Sequence, residues 1–165
     1  MATHKLQLDI TEDLDPYALL AIHCTQPAYQ LAFMLNKKLG ISLARLPKDL
    51  EVFDQGVELC FPLFEFLDQT NDRQINLVGN TSKTTQEQNT QNSGDLFGAI
   101  PQEAVKINHL LPEFKQADYF LKISWTHNTG SENVIVSRIN EIAQVITAYV
   151  VDLPLVKSKA NLIFE

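Results

Sequence analysis

Residues 111–125 read LPEFKQADYFLKISW, a short turn that runs directly into the clearest strand in the chain. From Asp118 to Trp125 the side chains alternate with a period of two, which predicts a β-strand with two distinct faces. One face carries Tyr119, Leu121, Ile123 and Trp125, and the other carries Asp118, Phe120, Lys122 and Ser124. The segment therefore predicts a strand that is entered from a tight turn.

This strand begins one of two strand-helix-strand units that the sequence predicts. In the N-terminal unit, an apolar run at residues 17–24 precedes a helix that ends at Gly40, and a weaker strand follows at 41–46. In the C-terminal unit, Ser131 can cap a helix that continues into a β-branched strand at 145–151. Each helix should return the chain parallel to its first strand, through a right-handed crossover.

Apolar runs at residues 59–67 and 75–78, separated by polar turn formers, predict a β-hairpin, and Pro62 predicts an edge or a bulge there. These elements together predict a single α+β domain over residues 1–165. It is a mixed β-sheet with two helices on one face, as in a ferredoxin-like or related two-layer sandwich. The alternative is an α/β fold with helices on both faces of the sheet.

Residues 80–95 contain no apolar side chain. A segment of this composition has nothing to bury, so it predicts a disordered loop within the domain. The alternative is a linker between two small domains. The flanking pieces each have few strands for a separate core, and this favours the loop.

Charge and composition exclude several classes of protein. The net charge is −7 and no cluster of lysine or arginine offsets it, so we expect no nucleic-acid partner. The chain begins without an apolar leader and has no apolar run of membrane-spanning length, which predicts a cytoplasmic protein without membrane association. Cys24 and Cys60 lie in apolar stretches, and both are predicted to be reduced and buried.

The turn at residues 111–119 also carries a recognisable motif, a Pro-Glu pair followed by three variable residues, an apolar residue and an Asp-Tyr pair. It resembles the hallmark of the bacterial IPExxxVDY family, with Leu111 where isoleucine is usual and Ala117 where valine is usual. Other stretches that look like the same family are residues 4–6 with 13–15, residues 20–23 with 29–36, and residues 158–164. The resemblance implies no particular chemistry, because the family has no assigned biochemical activity.

Within the motif, Pro112 and Glu113 are typical of a helix start. Proline needs no hydrogen-bond acceptor at the first helical position, and a carboxylate there interacts well with the exposed amides. The motif is then a structural hinge between a helical turn and a strand. The alternative is a functional carboxylate pair, Glu113 with Asp118, which could bind a metal or share proton transfer. Nothing in the sequence brings the two together, so the hinge interpretation is preferred.

Five residues are the candidates for binding: Glu113, Asp118, Tyr119, His23 and Phe64. His23 shares a strand face with Leu19 and Ala21, which favours a packed histidine over a ligand. Phe64 has the opposite strand parity to Phe61, which predicts an exposed aromatic edge that a protein partner could cover.

No catalytic or cofactor-binding pattern is present. The histidines and cysteines lack metal-ligand spacing, and the glycines form no phosphate-binding loop, so we predict neither a metal nor a cofactor. A nucleophilic Cys60 with His109 or His127 has no supporting local signature.

The sequence therefore favours a non-catalytic binding or regulatory module, with a homodimer and a small-molecule or protein partner as expectations. The alternative is a small enzyme that uses Glu113 and Asp118, with His109, for acid-base or metal-assisted chemistry. A third hypothesis is a partner-binding protein that docks through residues 80–95 or through the tail at 157–164.

Overall fold

The computed structural model describes residues 16–87, 103–125 and 130–164. Within these ranges the strands and helices are β1 (Tyr17–His23), α1 (Ala28–Leu39), β2 (Ala44–Arg45), β3 (Leu50–Asp54), β4 (Val57–Phe61), β5 (Leu63–Asp68), β6 (Arg73–Gly79), β7 (Thr81–Glu87), β8 (Glu103–His109), β9 (Tyr119–Trp125), α2 (Glu132–Asn140) and β10 (Thr147–Val150). Short 3₁₀ turns span Pro112–Phe114, Leu153–Leu155 and Lys159–Leu162. The predicted α+β class is confirmed.

Six strands form one sheet in the order β10-β1-β9-β6-β5-β2, and each neighbouring pair is antiparallel. The predicted mixed sheet is therefore wrong. Each strand-helix-strand unit does return its second strand in the direction of its first, but other strands of the sheet lie between the two. Periodicity identifies strands and their faces, whereas the neighbour of each strand is decided by the assembled sheet.

Both helices pack on one face of this sheet, as predicted. The buried stripe of α1 includes Leu31 and Leu35, and that of α2 includes Ile135 and Ile139. Beneath them lie sheet residues of a single parity, among them Leu20, Ile22, Ile75, Leu77, Leu121 and Ile123. Gly40 ends α1 in the left-handed conformation, with a φ of 68°.

The opposite face of the sheet is also covered, so the fold has three layers instead of the predicted two. The hairpin of β3 and β4, the 3₁₀ turn at 112–114 and the C-terminal tail (residues 156–164) pack over it. This second core includes Leu19, Ala21, Leu59, Phe61, Val78, Leu111, Phe120, Val156 and Leu162. Strands between two covered faces need apolar side chains on both sides, which the continuous apolar run of β1 supplies.

The polar segment that begins at residue 80 is not disordered where the structure describes it. Strand β7 pairs antiparallel with β8, from Thr81 opposite His109 to Glu87 opposite Glu103. The pairing uses backbone hydrogen bonds, and branched threonine side chains suit a strand, so a polar composition does not prevent it. The rest of the predicted loop, residues 88–95, lies outside the described residues.

Two asparagine side chains, one near the end of each helix, make matching pairs of hydrogen bonds to the backbone that follows. Asn36, near the end of α1, donates to the carbonyl of Leu43 (3.0 Å) and accepts from its N–H (2.7 Å). Asn140, at the end of α2, makes the same two bonds to Ala148, at 2.9 and 2.7 Å. Because Ala148 lies in an outer strand of the sheet, Asn140 occupies backbone groups that another strand would otherwise bind.

Replacing Asn140 with leucine leaves the N–H and C=O groups of Ala148 unpaired at the sheet edge. We expect the free energy of unfolding to fall by about 1–3 kcal/mol, and we expect self-association through β10. Urea unfolding and light scattering measure these two effects. Asn133→Leu is the matched control, since Asn133 is exposed on the same helix. Equal behaviour of the two variants would contradict the role given to Asn140.

Candidate functional site

The motif turn (residues 111–117) is organised by a buried asparagine. Asn80 is 0% exposed. Its side-chain nitrogen donates to the carbonyls of Phe114 (2.9 Å) and Ala117 (2.8 Å), and its side-chain oxygen accepts from the N–H of Leu111 (3.0 Å). Leu111 and Ala117 are themselves buried, so both positions require an apolar residue.

The carboxylate of Glu113 holds the C-terminal tail. Its Oε1 accepts from the backbone N–H groups of Lys157 (2.7 Å) and Ser158 (2.9 Å), and its Oε2 accepts from the Ser158 hydroxyl (3.2 Å). Partial burial by itself raises the pKa of this carboxyl, but the hydrogen bonds from Ser158, Lys157 and its own N–H outweigh burial. The pKa therefore lies below its ordinary value.

The Asp-Tyr pair of the motif holds the loop between β1 and α1. Asp118 Oδ2 accepts from the N–H of Cys24 (2.9 Å), and the Tyr119 hydroxyl donates to the carbonyl of Gln26 (2.6 Å). Burial, with smaller contributions from Cys24 and Asp118, raises the pKa of Tyr119 to about 12. Tyr119 is therefore a neutral donor at physiological pH.

The two motif carboxylates serve different parts of the chain. Glu113 binds the C-terminal tail, whereas Asp118 binds the start of the loop that leads to α1. Both accept hydrogen bonds from backbone N–H groups, and such groups must remain paired when they are partly buried. This geometry supports the hinge interpretation over the carboxylate pair.

His23 and Phe64 occupy packed positions. The ring of His23 stacks on Tyr149 with 5.9 Å between centroids, and His23 itself is half-buried. Phe64 is only 4% exposed, and the guanidinium of Arg45 lies 5.4 Å from its ring centroid. The predicted exposed edge at Phe64 is therefore wrong, because the helices cover its face of the sheet while the second core buries Phe61.

The two cysteines differ in environment. Cys24 is buried, as predicted, whereas Cys60 is exposed on the two-stranded hairpin. Slight burial and the neighbouring carboxylates of Glu58 and Glu51 raise the pKa of Cys60, and this disfavours the thiolate that a Cys-His mechanism requires. Burial, with a smaller effect of Lys115, lowers the pKa of His109 and keeps this imidazole neutral at pH 7.

Lys122, on the second face of β9, forms another anchor for the tail. Its ammonium donates to the carbonyl of Leu162 (2.8 Å) and lies 5.0 Å from the Tyr17 ring centroid and 5.1 Å from that of Phe164. Burial lowers the pKa of this lysine. Because carbonyl and aromatic groups already surround the ammonium, its main role is to fasten the tail to the sheet.

A cavity of about 180 Å³ opens in the helix layer. Its floor is the centre of the sheet, where Ile75, Leu121 and Ile123 are almost fully buried. Ile135 of α2 and Ile41, just after α1, form part of its walls. We call this space the helix-layer cavity. It combines a buried aliphatic floor with an opening to solvent, as small-molecule sites do.

Two arginines line the helix-layer cavity together with its aliphatic residues. Arg73 donates through Nε to Asp68 Oδ2 (2.7 Å), which leaves its terminal nitrogens without a hydrogen bond to any other described residue. Arg138 of α2 is exposed, and it makes no hydrogen bond or ion pair within the described ranges. The cavity therefore offers guanidinium donors beside apolar surface.

Sequence reasoning missed both arginines. Arg73 has the same strand parity as Ile75 and Leu77, so it lies on the sheet face that the helices cover. A cation at such a position was the signal in the sequence that could have identified Arg73. Arg138 gave no such signal, because exposed arginines are ordinary on a helix. Arg73 comes from β6 and Arg138 from α2, and they line one cavity only because the tertiary structure brings these two elements together.

Comparisons with protein-family models, curated proteins and solved structures found no match to this chain, so the resemblance to the IPExxxVDY family stays a prediction. Among the described residues, no cluster of three or more His, Cys, Asp or Glu side chains is arranged to hold a metal ion. Neither described helix is long and apolar enough to cross a membrane.

Glu113→Gln tests the anchor of the tail. Since the folded pKa of Glu113 is depressed, its charge stabilises the fold above the unfolded pKa, and this contribution disappears as the pH falls through the folded pKa. We expect the variant to lose about 1–2 kcal/mol at pH 7, where the partly exposed carboxylate is screened by solvent.

Urea unfolding between pH 7 and pH 2.5 measures this dependence. The difference between the wild type and Glu113→Gln should shrink below about pH 4.3, the ordinary glutamate value. Glu58→Gln, at an exposed position of β4, is the control and should show no such convergence. A difference that stays constant with pH would exclude the charged anchor.

Phe64→Ser distinguishes a core residue from an interface residue. Because Phe64 is buried, we expect the change to cost about 3–5 kcal/mol, as for other aromatic truncations in cores. Circular dichroism and urea unfolding give the stability, and size-exclusion chromatography gives the assembly state. Phe53→Ser, at an exposed aromatic of β3, should have little effect on stability. A stable, merely dissociated Phe64→Ser protein would restore the interface hypothesis.

Proposed function

We propose that this protein is a non-catalytic binding module that takes a small molecule into the helix-layer cavity. The observation that carries the proposal is the composition of that cavity, an aliphatic floor with Arg73 and Arg138 beside it. Val134, which lines the same cavity, is 57% exposed, so a ligand body would cover aliphatic surface at its rim. Guanidinium groups beside such a surface would orient a ligand.

The enzyme alternative has weaker support. Its carboxylates, Glu113 and Asp118, accept hydrogen bonds from the tail and from the loop before α1. A substrate that engaged them would have to displace backbone N–H groups, which are costly to leave unpaired. Their present bonds suit positioning of the chain better than proton transfer.

A homodimer stays a prediction, and the geometry limits how it would form. Phe64 is buried, and Asn140 occupies the outer backbone groups of Ala148 in β10. A dimer built on that sheet edge would first have to release Asn140. Docking of the tail on another protein would likewise require release of its bonds to Glu113 and Lys122.

A thermal-shift screen of small neutral, cationic and anionic compounds tests the proposal. A ligand at a hundred times its Kd adds about 2.7 kcal/mol to the free energy of unfolding. For a chain of this size that raises Tm by about 5–10 °C. Val134→Trp should abolish the shift, because Val134 lines the helix-layer cavity at an exposed position of α2.

Val105→Trp provides the matched control, since it adds the same bulk at an exposed position of β8. It should keep the wild-type response. A screen without any stabilising compound would refute the binding module. A shift that persists in Val134→Trp would place the site elsewhere on the molecule.

A further inference from the structure

We infer that the helix-layer cavity selects a small monocarboxylate with a compact aliphatic body and no amino group. This inference rests on the proposed function and specifies its ligand. Four features of the cavity carry it: the aliphatic floor, the anchored arginine, the local charge and the size.

The floor requires an apolar ligand body. Ile75, Leu121 and Ile123 come from the central strands β6 and β9, and Ile135 adds to them from α2. Above this buried floor, the exposed Val134 of α2 offers aliphatic surface on which a hydrocarbon group leaves water. A polar body would find no partners on this floor.

Arg73 is positioned in advance for an anion. Its Nε is bound by Asp68, and that carboxylate is fixed in turn by Asn71 Nδ2 (2.7 Å) and by the N–H groups of Thr70 and Asn71 (3.2 Å each). These bonds, the one from the Asn71 side chain first, hold the pKa of Asp68 below its ordinary value, so the pair stays charged. A guanidinium held at Nε can still offer its terminal nitrogens to a carboxylate.

The local charge matches a single negative charge. Two guanidinium groups line the cavity, and Asp68 neutralises one of them. Lys38, in an ion pair at 2.5 Å, has the largest effect in lowering the pKa of Glu141, and Arg138 is close enough for its charge to help. Glu141 and Lys38 together add no net charge. One positive charge, centred on Arg138, remains for the ligand. A monoanion balances this charge, whereas a dianion would exceed it.

The same charge pattern rejects a ligand amine. Among the described residues that line the helix-layer cavity there is no aspartate or glutamate. The ammonium of an amino acid would therefore lie beside two guanidinium groups without a carboxylate partner. Like-charge contact and loss of hydration both oppose that arrangement. The cavity thus separates an amino acid from the corresponding acid that lacks the amine.

The size of the cavity limits the ligand to a short chain. Its volume of about 180 Å³ lies below the roughly 300–1,000 Å³ of sites that take drug-sized ligands. An acid with a branched body of five or six carbons fits this volume, with its carboxylate toward the arginines. Nucleotides and long acyl chains do not fit.

The test compares three probes of one skeleton: 4-methylpentanoate, leucine and 4-methylpentan-1-ol. Titration calorimetry gives affinities, and methyl NMR reports whether Ile75, Leu121, Ile123 and Ile135 respond. We expect the acid to bind at least tenfold more tightly than the alcohol or leucine. The isoleucine and leucine methyl signals of the floor should shift with the acid.

Arg138→Met should weaken binding of the acid at least tenfold with little change in Tm, because Arg138 is exposed and makes no hydrogen bond or ion pair within the described ranges. Arg138→Lys should restore part of the affinity, since the charge remains but the two-pronged geometry is lost. Lys37→Met removes an exposed cation from α1 and should leave binding unchanged.

Equal affinity for the acid and the alcohol, or for the acid and leucine, would overturn the inference while the binding module stands. If all three probes fail to bind while a different compound stabilises the protein in the thermal-shift screen, the inference is also overturned and the binding module stands. Failure of the probes and of the whole screen would refute both the inference and the proposed function.

Discussion

The carboxamide of Asn80 is the interaction on which the motif turn depends. It is fully buried, and it satisfies the N–H of Leu111 and the carbonyl of Ala117. It also donates to the carbonyl of Phe114, which accepts a second bond from the N–H of Ala117. With the turn fixed, Glu113 reaches the C-terminal tail, and Asp118 and Tyr119 reach the loop before α1. The motif that Asn80 organises thus joins the C-terminal tail to the loop before α1. The motif is a junction of the fold.

The same use of asparagine recurs at the ends of both helices. Asn36 and Asn140 each pair with both backbone groups of one residue beyond the helix, Leu43 and Ala148. A carboxamide has one donor group and one acceptor in the geometry of a peptide, so it replaces a missing strand neighbour. The two strand-helix-strand units therefore end with the same contact, although their second strands occupy opposite edges of the sheet.

The helix-layer cavity follows from the dimensions of the layers. Six strands about 4.8 Å apart span about 29 Å, whereas two helices of about 10 Å diameter cover about 20 Å. The helix layer is thus narrower than the sheet, and the helix-layer cavity opens beside α2, above sheet residues that are themselves almost fully buried. Arg73 and Arg138 lie at this opening. The proposed ligand completes the helix layer, and its carboxylate meets the arginines.

The sequence by itself determined the local elements: the alternation of β9, the stripes of both helices, the stop at Gly40 and the α+β class. These follow from periodicity and capping, which act between residues a few positions apart. Only the tertiary structure decided the antiparallel strand order, the burial of Phe64, the strand at 81–87 and the placement of Arg73 and Arg138 at one cavity. Burial of a side chain depends on which layer covers its face, and that is settled by distant segments such as the tail. The polar composition of residues 80–95 predicted disorder for the same reason. Asn80 is buried by partners that lie more than thirty residues away along the chain.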